Sequence, residues 1–294
     1  MIITIAPMVY PKVFETPYFL RALDLIKDKL DDTYHFIIAR TNCKEEIQEF
    51  KNCIKDNYKN ILILLSDEVG IIPPFLGDLF LVFRTYNRTG LYDNNKIFPV
   101  PCGYSYGCDG LFGNSNWEYV DAEKEKKSLI ERDYDLFFSG QSRPDNSCFN
   151  YANNIKNKFN SIIQLNKSFA SGFNLEDYYE YMRNSKICLV PSNDCFGYYE
   201  SFRYFEAFES NSIVIAKYPS SINKYDHWYF KDSPAIFLNN WSELTEDLVK
   251  NLLTEDSLKK YEILNKKYFD EKISIKAISN YILNIIKSKE YEKI

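Results

Sequence analysis

Arg203 and Glu206 lie three residues apart in the segment Ser201-Phe202-Arg203-Tyr204-Phe205-Glu206, between two short apolar runs, 187–190 and 213–216. A helix opening at Ser201 carries a cation in its first turn, where free backbone N–H groups and the positive end of the dipole favour an anion. A bound diphosphate resolves that conflict: Arg203 and the N–H groups face phosphates, and Glu206, one turn on, accepts from ribose hydroxyls. The same spacing also serves an ion pair of Arg203 with Glu200 or Glu206, worth about 0.2–0.5 kcal/mol. The residues alone do not choose between these readings.

Two other stretches carry candidate chemistry. Tyr134 to Arg143 reads as an apolar strand running into a small-residue turn, with Gly140 letting backbone approach a ligand and Arg143 as a second phosphate contact. Asp67 and Glu68 are adjacent carboxylates following the apolar run 61–65, and one of them can serve as general base toward an acceptor hydroxyl. A solvated acidic turn has the same sequence. Glu15, in the loop after the first strand, is the next candidate base. The chain has two histidines: His35 falls within a strand and reads as structural, and His227 belongs to the second half of the chain.

The elements that must position these groups are alternating strands and helices. Ile2 to Ala6, Tyr34 to Ala39 and Ile61 to Leu65 read as buried strands, with helices over 17–30 and 44–57 between them, which implies a parallel sheet. Residues 79–83 and 97–100 add strand-like runs, and a connection is placed near 115–132. A second series follows: strand 135–138, helix 148–159, strand 162–165, helix 175–184 capped by Asn174, strand 187–190 closed by Pro191, helix 201–210, strand 213–216 and strand 234–238. Helices over 243–253, 255–268 and 273–287 end the chain, the last with Ile275, Ile278, Ile282, Ile285 and Ile286 as an apolar stripe. The expected fold class is α/β, with domains at 1–125 and 126–272 and a C-terminal helix at 273–294.

The order FFSGQSR, NLEDYYEYMRNSKICLVPS, ESFRYFEAFESNSIVIA resembles the C-terminal half of exostosin-like glycosyltransferases, whose G-x-x-R turn, SK-x-CL-x-P strand and S-x-R-x-x-EA helix form a nucleotide-sugar site. The resemblance spans about residues 133–241. It implies the GT-B architecture: two doubly wound Rossmann-like domains facing a cleft, the last helix crossing back to the first. It also implies donor contacts from Gly140, Arg143, Pro191, Ser192, Ser201, Phe202, Arg203 and Glu206, a UDP-sugar, and inverting transfer to a glycan hydroxyl. Where the family has Gly and then Ile-Pro-Val, this chain has Asn211, Ser212, Ile213 and Val214, and Asn tolerates the left-handed conformation that ends a helix. A fucosyltransferase-like enzyme using a GDP-sugar is the nearest rival, since 232–237, Asp-Ser-Pro-Ala-Ile-Phe, partly matches that class. A non-catalytic nucleotide- or glycan-binding module on the same scaffold is the other.

Composition narrows the classes further. The formal charge of −5 argues against nucleic acid as a partner. Cys43, Cys53, Cys102, Cys108, Cys148, Cys188 and Cys195 are odd in number and scattered, which fits a reducing compartment and no zinc site. Without a long apolar run, the chain reads as cytoplasmic, peripheral on a membrane at most. Neither a metal nor another cofactor is expected, because cations and helix N–H donors can stabilise a leaving diphosphate.

Overall fold

A computed structural model describes residues 1–6, 15–40, 50–65, 72–86, 94–104, 126–141, 147–166, 172–191, 201–218 and 227–292. The described strands form two five-stranded parallel sheets with helices packed against them. In the first, β1 (Ile2–Ile5), β2 (Tyr34–Arg40), β3 (Lys59–Leu65), β4 (Leu81–Arg84) and β5 (Ile97–Pro99) lie side by side in chain order. Their continuous apolar runs suit strands covered on both faces, and the residues 61–65 are fully buried.

Helix α1 (Thr16–Asp24) starts with Pro17 in its first turn and buries Tyr18, Phe19, Ala22 and Leu23. It stops short of the expected Leu30: Leu25 is exposed and residues 27–29 form a single tight turn. The helix expected to reach Asn57 ends at Lys51, and Asn57 itself takes φ 65° in the turn before β3.

The second sheet is built from β6 (Tyr134–Gln141), α2 (Ser147–Ile155), β7 (Ser161–Asn166), α3 (Leu175–Arg183), β8 (Ser185–Val190), α4 (Phe202–Glu209), β9 (Ile213–Lys217) and β10 (Ile236–Leu238). Its order is β10-β9-β8-β6-β7. The chain goes outward from β6 to β7, then returns past β6 to build β8, so strand order reverses between β6 and β8. Open α/β sheets bind ligands in the crevice that such a reversal leaves at the C-terminal ends of the strands.

Residues 126–132, read from their charges as part of a connection, pack on this second sheet. Arg132 is 3% exposed and donates to the Ser185 carbonyl (2.8 Å), the Ser210 carbonyl (2.6 Å) and Ser212 Oγ (2.9 Å), tying the end of α4 to the start of β8. Burial pulls its guanidinium down to about 10.

Helices α5 (Glu246–Leu252) and α6 (Glu255–Tyr268) follow, then a wide turn at Phe269–Ile273 leads into α7 (Ile275–Tyr291). Helix α7 crosses back to the first sheet's side, as expected. Ile278, Ile282 and Ile286 are buried, Ser279 Oγ donates to the Ala22 carbonyl of α1 (2.9 Å), and Glu290 meets Tyr34 and Lys59. The two halves also meet through Tyr18, whose hydroxyl donates to the Ile273 carbonyl (2.6 Å), and through Trp228, whose Nε1 donates to the Pro99 carbonyl (3.2 Å).

Candidate active site

Helix α4 follows β8 in the chain, and the C-terminal end of β8 borders the β6–β8 crevice. The far end of α4 is closed by Asn211 at φ 56°, with Ser212 N–H donating to the Ala207 carbonyl (2.9 Å) and Asn211 N–H to that of Phe208 (2.9 Å). These two bonds make a Schellman cap, so Asn takes over the glycine's part. Tyr204, Phe205 and Phe208 bury the helix against Tyr229, Phe230 and Tyr268, which fixes its axis.

The near end is less satisfied. Ser201 occupies the N-cap position with extended backbone, φ −128° and ψ 146°, yet its side chain makes no capping bond. Its Oγ is buried, and among the described residues it has no partner. The first turn holds no acidic residue. Arg203, half-buried, has neither a hydrogen bond nor an ion pair among the described residues, so the alternative pairing with Glu206 does not form, and Glu200, the other partner considered, lies outside the described residues.

Electrostatics locates the guanidinium. Its charge lowers the pKa of the Cys148 thiol on α2 and of the Tyr178 phenol on α3, in both cases against a larger upward push from burial. Cys148 packs on one face of the second sheet, with Phe138 and Leu189, and Tyr178 on the other, with Phe137. Its charge therefore reaches groups packed on both faces of the second sheet.

Glu206 is 5% exposed, and both carboxylate oxygens accept from tyrosines of α3: Oε2 from Tyr178 (3.1 Å) and Oε1 from Tyr179. The sequence offered no reason to pair these tyrosines with Glu206; each reads as one more aromatic on a helix. At the end of β7, buried Gln164 Oε1 and Asn166 Oδ1 have no partner among the described residues, and Asn166 Nδ2 donates to Ser139 Oγ (3.3 Å). This polar corner, on the side of β6 away from β8, has no counterpart in the sequence reading, although two amides closing an apolar strand were its signal.

Gly140 lies inside β6, paired with Leu165, and not in a turn as expected. A Cβ there would come within 2.6 Å of the Phe138 ring, so packing along the strand is a sufficient reason for glycine. Pro191 immediately follows β8, half-buried, and with Gly140 it flanks the crevice. Phe202 is half-buried in the first turn of α4. Asp67, Glu68, Arg143 and Ser192 lie outside the described residues. Glu15 is fully buried just ahead of α1.

The histidines divide as expected for His35, which bonds Thr4 Oγ1 and Asn60 Oδ1 (both 2.8 Å) in the interior, where burial lowers its pKa. His227 stacks on Tyr229 with ring centroids 5.2 Å apart, and burial pulls it down to about 3. No described helix is long and apolar enough to cross a membrane.

No family model and no curated protein matches this chain. Solved structures do. An alpha-glucosyltransferase in complex with UDP and a 13-mer DNA aligns over 97% of this chain and 99% of its own, with TM-score 0.59 and 9% identity. A second alpha-glucosyltransferase structure, in complex with UDP, gives the same coverage and identity with TM-score 0.51. An alpha1,3-fucosyltransferase aligns over 98% of this chain and 90% of its own, with TM-score 0.49 and 11% identity. The fold is that of GT-B glycosyltransferases.

Proposed function

We propose that this chain is a glycosyltransferase that moves a sugar from a nucleotide-sugar donor, a UDP-sugar, to a hydroxyl of a glycan acceptor with inversion at the anomeric carbon. The observation that carries the reading is the half-buried Arg203 without an anionic partner among the described residues, beside the unpartnered Ser201 Oγ, at the helix start that borders the strand reversal. A diphosphate supplies the anion this arrangement lacks. The choice of UDP and of inversion rests on the exostosin-like motifs, and both alpha-glucosyltransferase structures hold UDP.

In this reading residues 126–272 hold the donor and residues 1–125 the acceptor. Arg203 and the α4 N-terminus stabilise the departing diphosphate, with Arg143 as a second cation and no resident metal. Gly140, Pro191, Ser192, Ser201 and Phe202 line the donor crevice. Glu206 accepts from the ribose, and Asp67 or Glu68 takes the acceptor proton. One of the neighbours carries DNA, but the net charge of −5 favours a glycan acceptor here. The scattered cysteines favour a reducing, cytoplasmic setting.

Thermal denaturation with added nucleotides tests the donor class. UDP at 100-fold its dissociation constant is expected to add about 2.7 kcal/mol of stability, with GDP giving less at equal concentration. Stronger protection by GDP would favour the fucosyltransferase-like alternative. No protection by either would remove the nucleotide-sugar reading, and UDP binding without donor hydrolysis or transfer in a nucleotide-sugar screen would favour the binding module.

A further inference from the structure

We infer that Tyr178 and Tyr179 are positioning residues that set the Glu206 carboxylate for hydrogen bonding to the ribose of the donor, an inference that rests on the donor-site reading above. Neighbouring residues of a helix point about 100° apart, so two of them seldom meet one group. Here both phenols turn onto a single carboxylate, one on each oxygen. Their rings brace one another edge to face at 5.3 Å, and the Tyr178 ring sits edge to face on Phe137 of β6 at 5.4 Å. The Tyr178 ring is thus packed against both its neighbour and the strand beneath.

A carboxylate can accept about four hydrogen bonds, and Tyr178 and Tyr179 supply two of the interactions made to Glu206. Gripped on both oxygens, Glu206 has lost its side-chain freedom before any ligand arrives, which is how a supporting shell lowers the cost of binding. The Tyr178 phenol lies within the fields of both Glu206 and Arg203, which make no ion pair with each other. The tyrosine that holds the group assigned to the ribose is thus within reach of the charge assigned to the diphosphate, and these are adjacent parts of one nucleotide.

A merely structural Tyr–Glu link between α3 and α4 would change stability alone, so the test reads sugar discrimination. Affinities for UDP and for 2′,3′-dideoxy-UDP are measured on the whole protein and its Tyr178→Phe, Tyr179→Phe and Glu206→Gln variants. The wild-type protein is expected to prefer UDP by about tenfold or more, the size of a hydrogen bond to a charged group. Each Phe variant should lose most of that preference, and adding Tyr178→Phe to Glu206→Gln should change the ratio no further. Should Tyr179→Phe fail to fold, the half-buried Tyr178 carries the test alone. Phe variants that melt lower but keep the wild-type ratio overturn the inference. A wild-type protein that binds UDP and dideoxy-UDP equally overturns it too while leaving the donor site standing, whereas failure to bind any nucleoside diphosphate removes both.

Discussion

An arginine in the first turn of a helix works against the dipole there, and nothing among the described residues neutralises Arg203. Arg132, in the same half of the molecule, is the opposite case: deeper, and satisfied by carbonyl and hydroxyl oxygens from three serines. On the proposed reading the first meets an anion, whereas the second ties backbone together. Both are single arginines in sequence, and only the acceptors around them tell the roles apart. His227 makes a prediction at this scale. Its folded pKa, near 3, lies below the ordinary value of about 6.5. The stability it permits is therefore complete above about pH 6.5 and is lost as pH falls toward 3, because the unfolded chain takes up the proton first. Replacing His227 by Phe keeps a ring on Tyr229 and removes the titration. The variant's melting temperature should fall less than the wild type's between about pH 7 and pH 4; equal falls would show that burial of the imidazole is not linked to folding.

At the level of elements, Gly140 separates two explanations that the sequence leaves joined. A turn glycine would leave room for a ligand, but this one sits in a strand with the Phe138 ring against it. Gly140→Ala is expected to destabilise by about 1–3 kcal/mol through overpacking, with part of the loss restored by Phe138→Leu. A denaturation midpoint unchanged from wild type would contradict the packing account. The strands and short crossover helices were legible because short apolar runs, Asn174 and Asn211 act locally: Asn174 caps α3 by accepting from Asp177 N–H (2.8 Å), and Asn211 ends α4. Strand ends were less legible. β6 runs on through Ser139 and Gly140 because its ladder with β7 continues, and small residues that suit a turn also suit a strand with a bulky ring two places away. The grip of Tyr178 and Tyr179 on Glu206 spans 28 and 27 residues, and no local pattern encodes it.

Across the whole molecule, the isoleucine stripe of α7 announced an apolar partner but not which one. The answer lies 257 residues away in chain, where Ser279 of α7 bonds the Ala22 carbonyl of α1, and in the stacking of Tyr281 on Trp228 at 4.3 Å. These contacts fasten the first sheet to the half that holds the crevice. The strand reversal is equally non-local: the first sheet's described strands run in chain order, and only the pairing of β6 with β8 places the crevice in the second. In the proposed function this crevice, with Arg203 in the first turn of α4, holds a nucleoside diphosphate. Calorimetric titration of UDP into the wild-type protein and the Arg203→Ala variant tests it most directly. Loss of a charge-assisted contact worth about 1.5–3 kcal/mol should weaken UDP binding by roughly 10- to 150-fold, with the melting temperature of the free protein nearly unchanged. UDP affinity identical in the two proteins, or a variant that no longer folds while Arg203→Lys binds UDP no better than other anions, would contradict it.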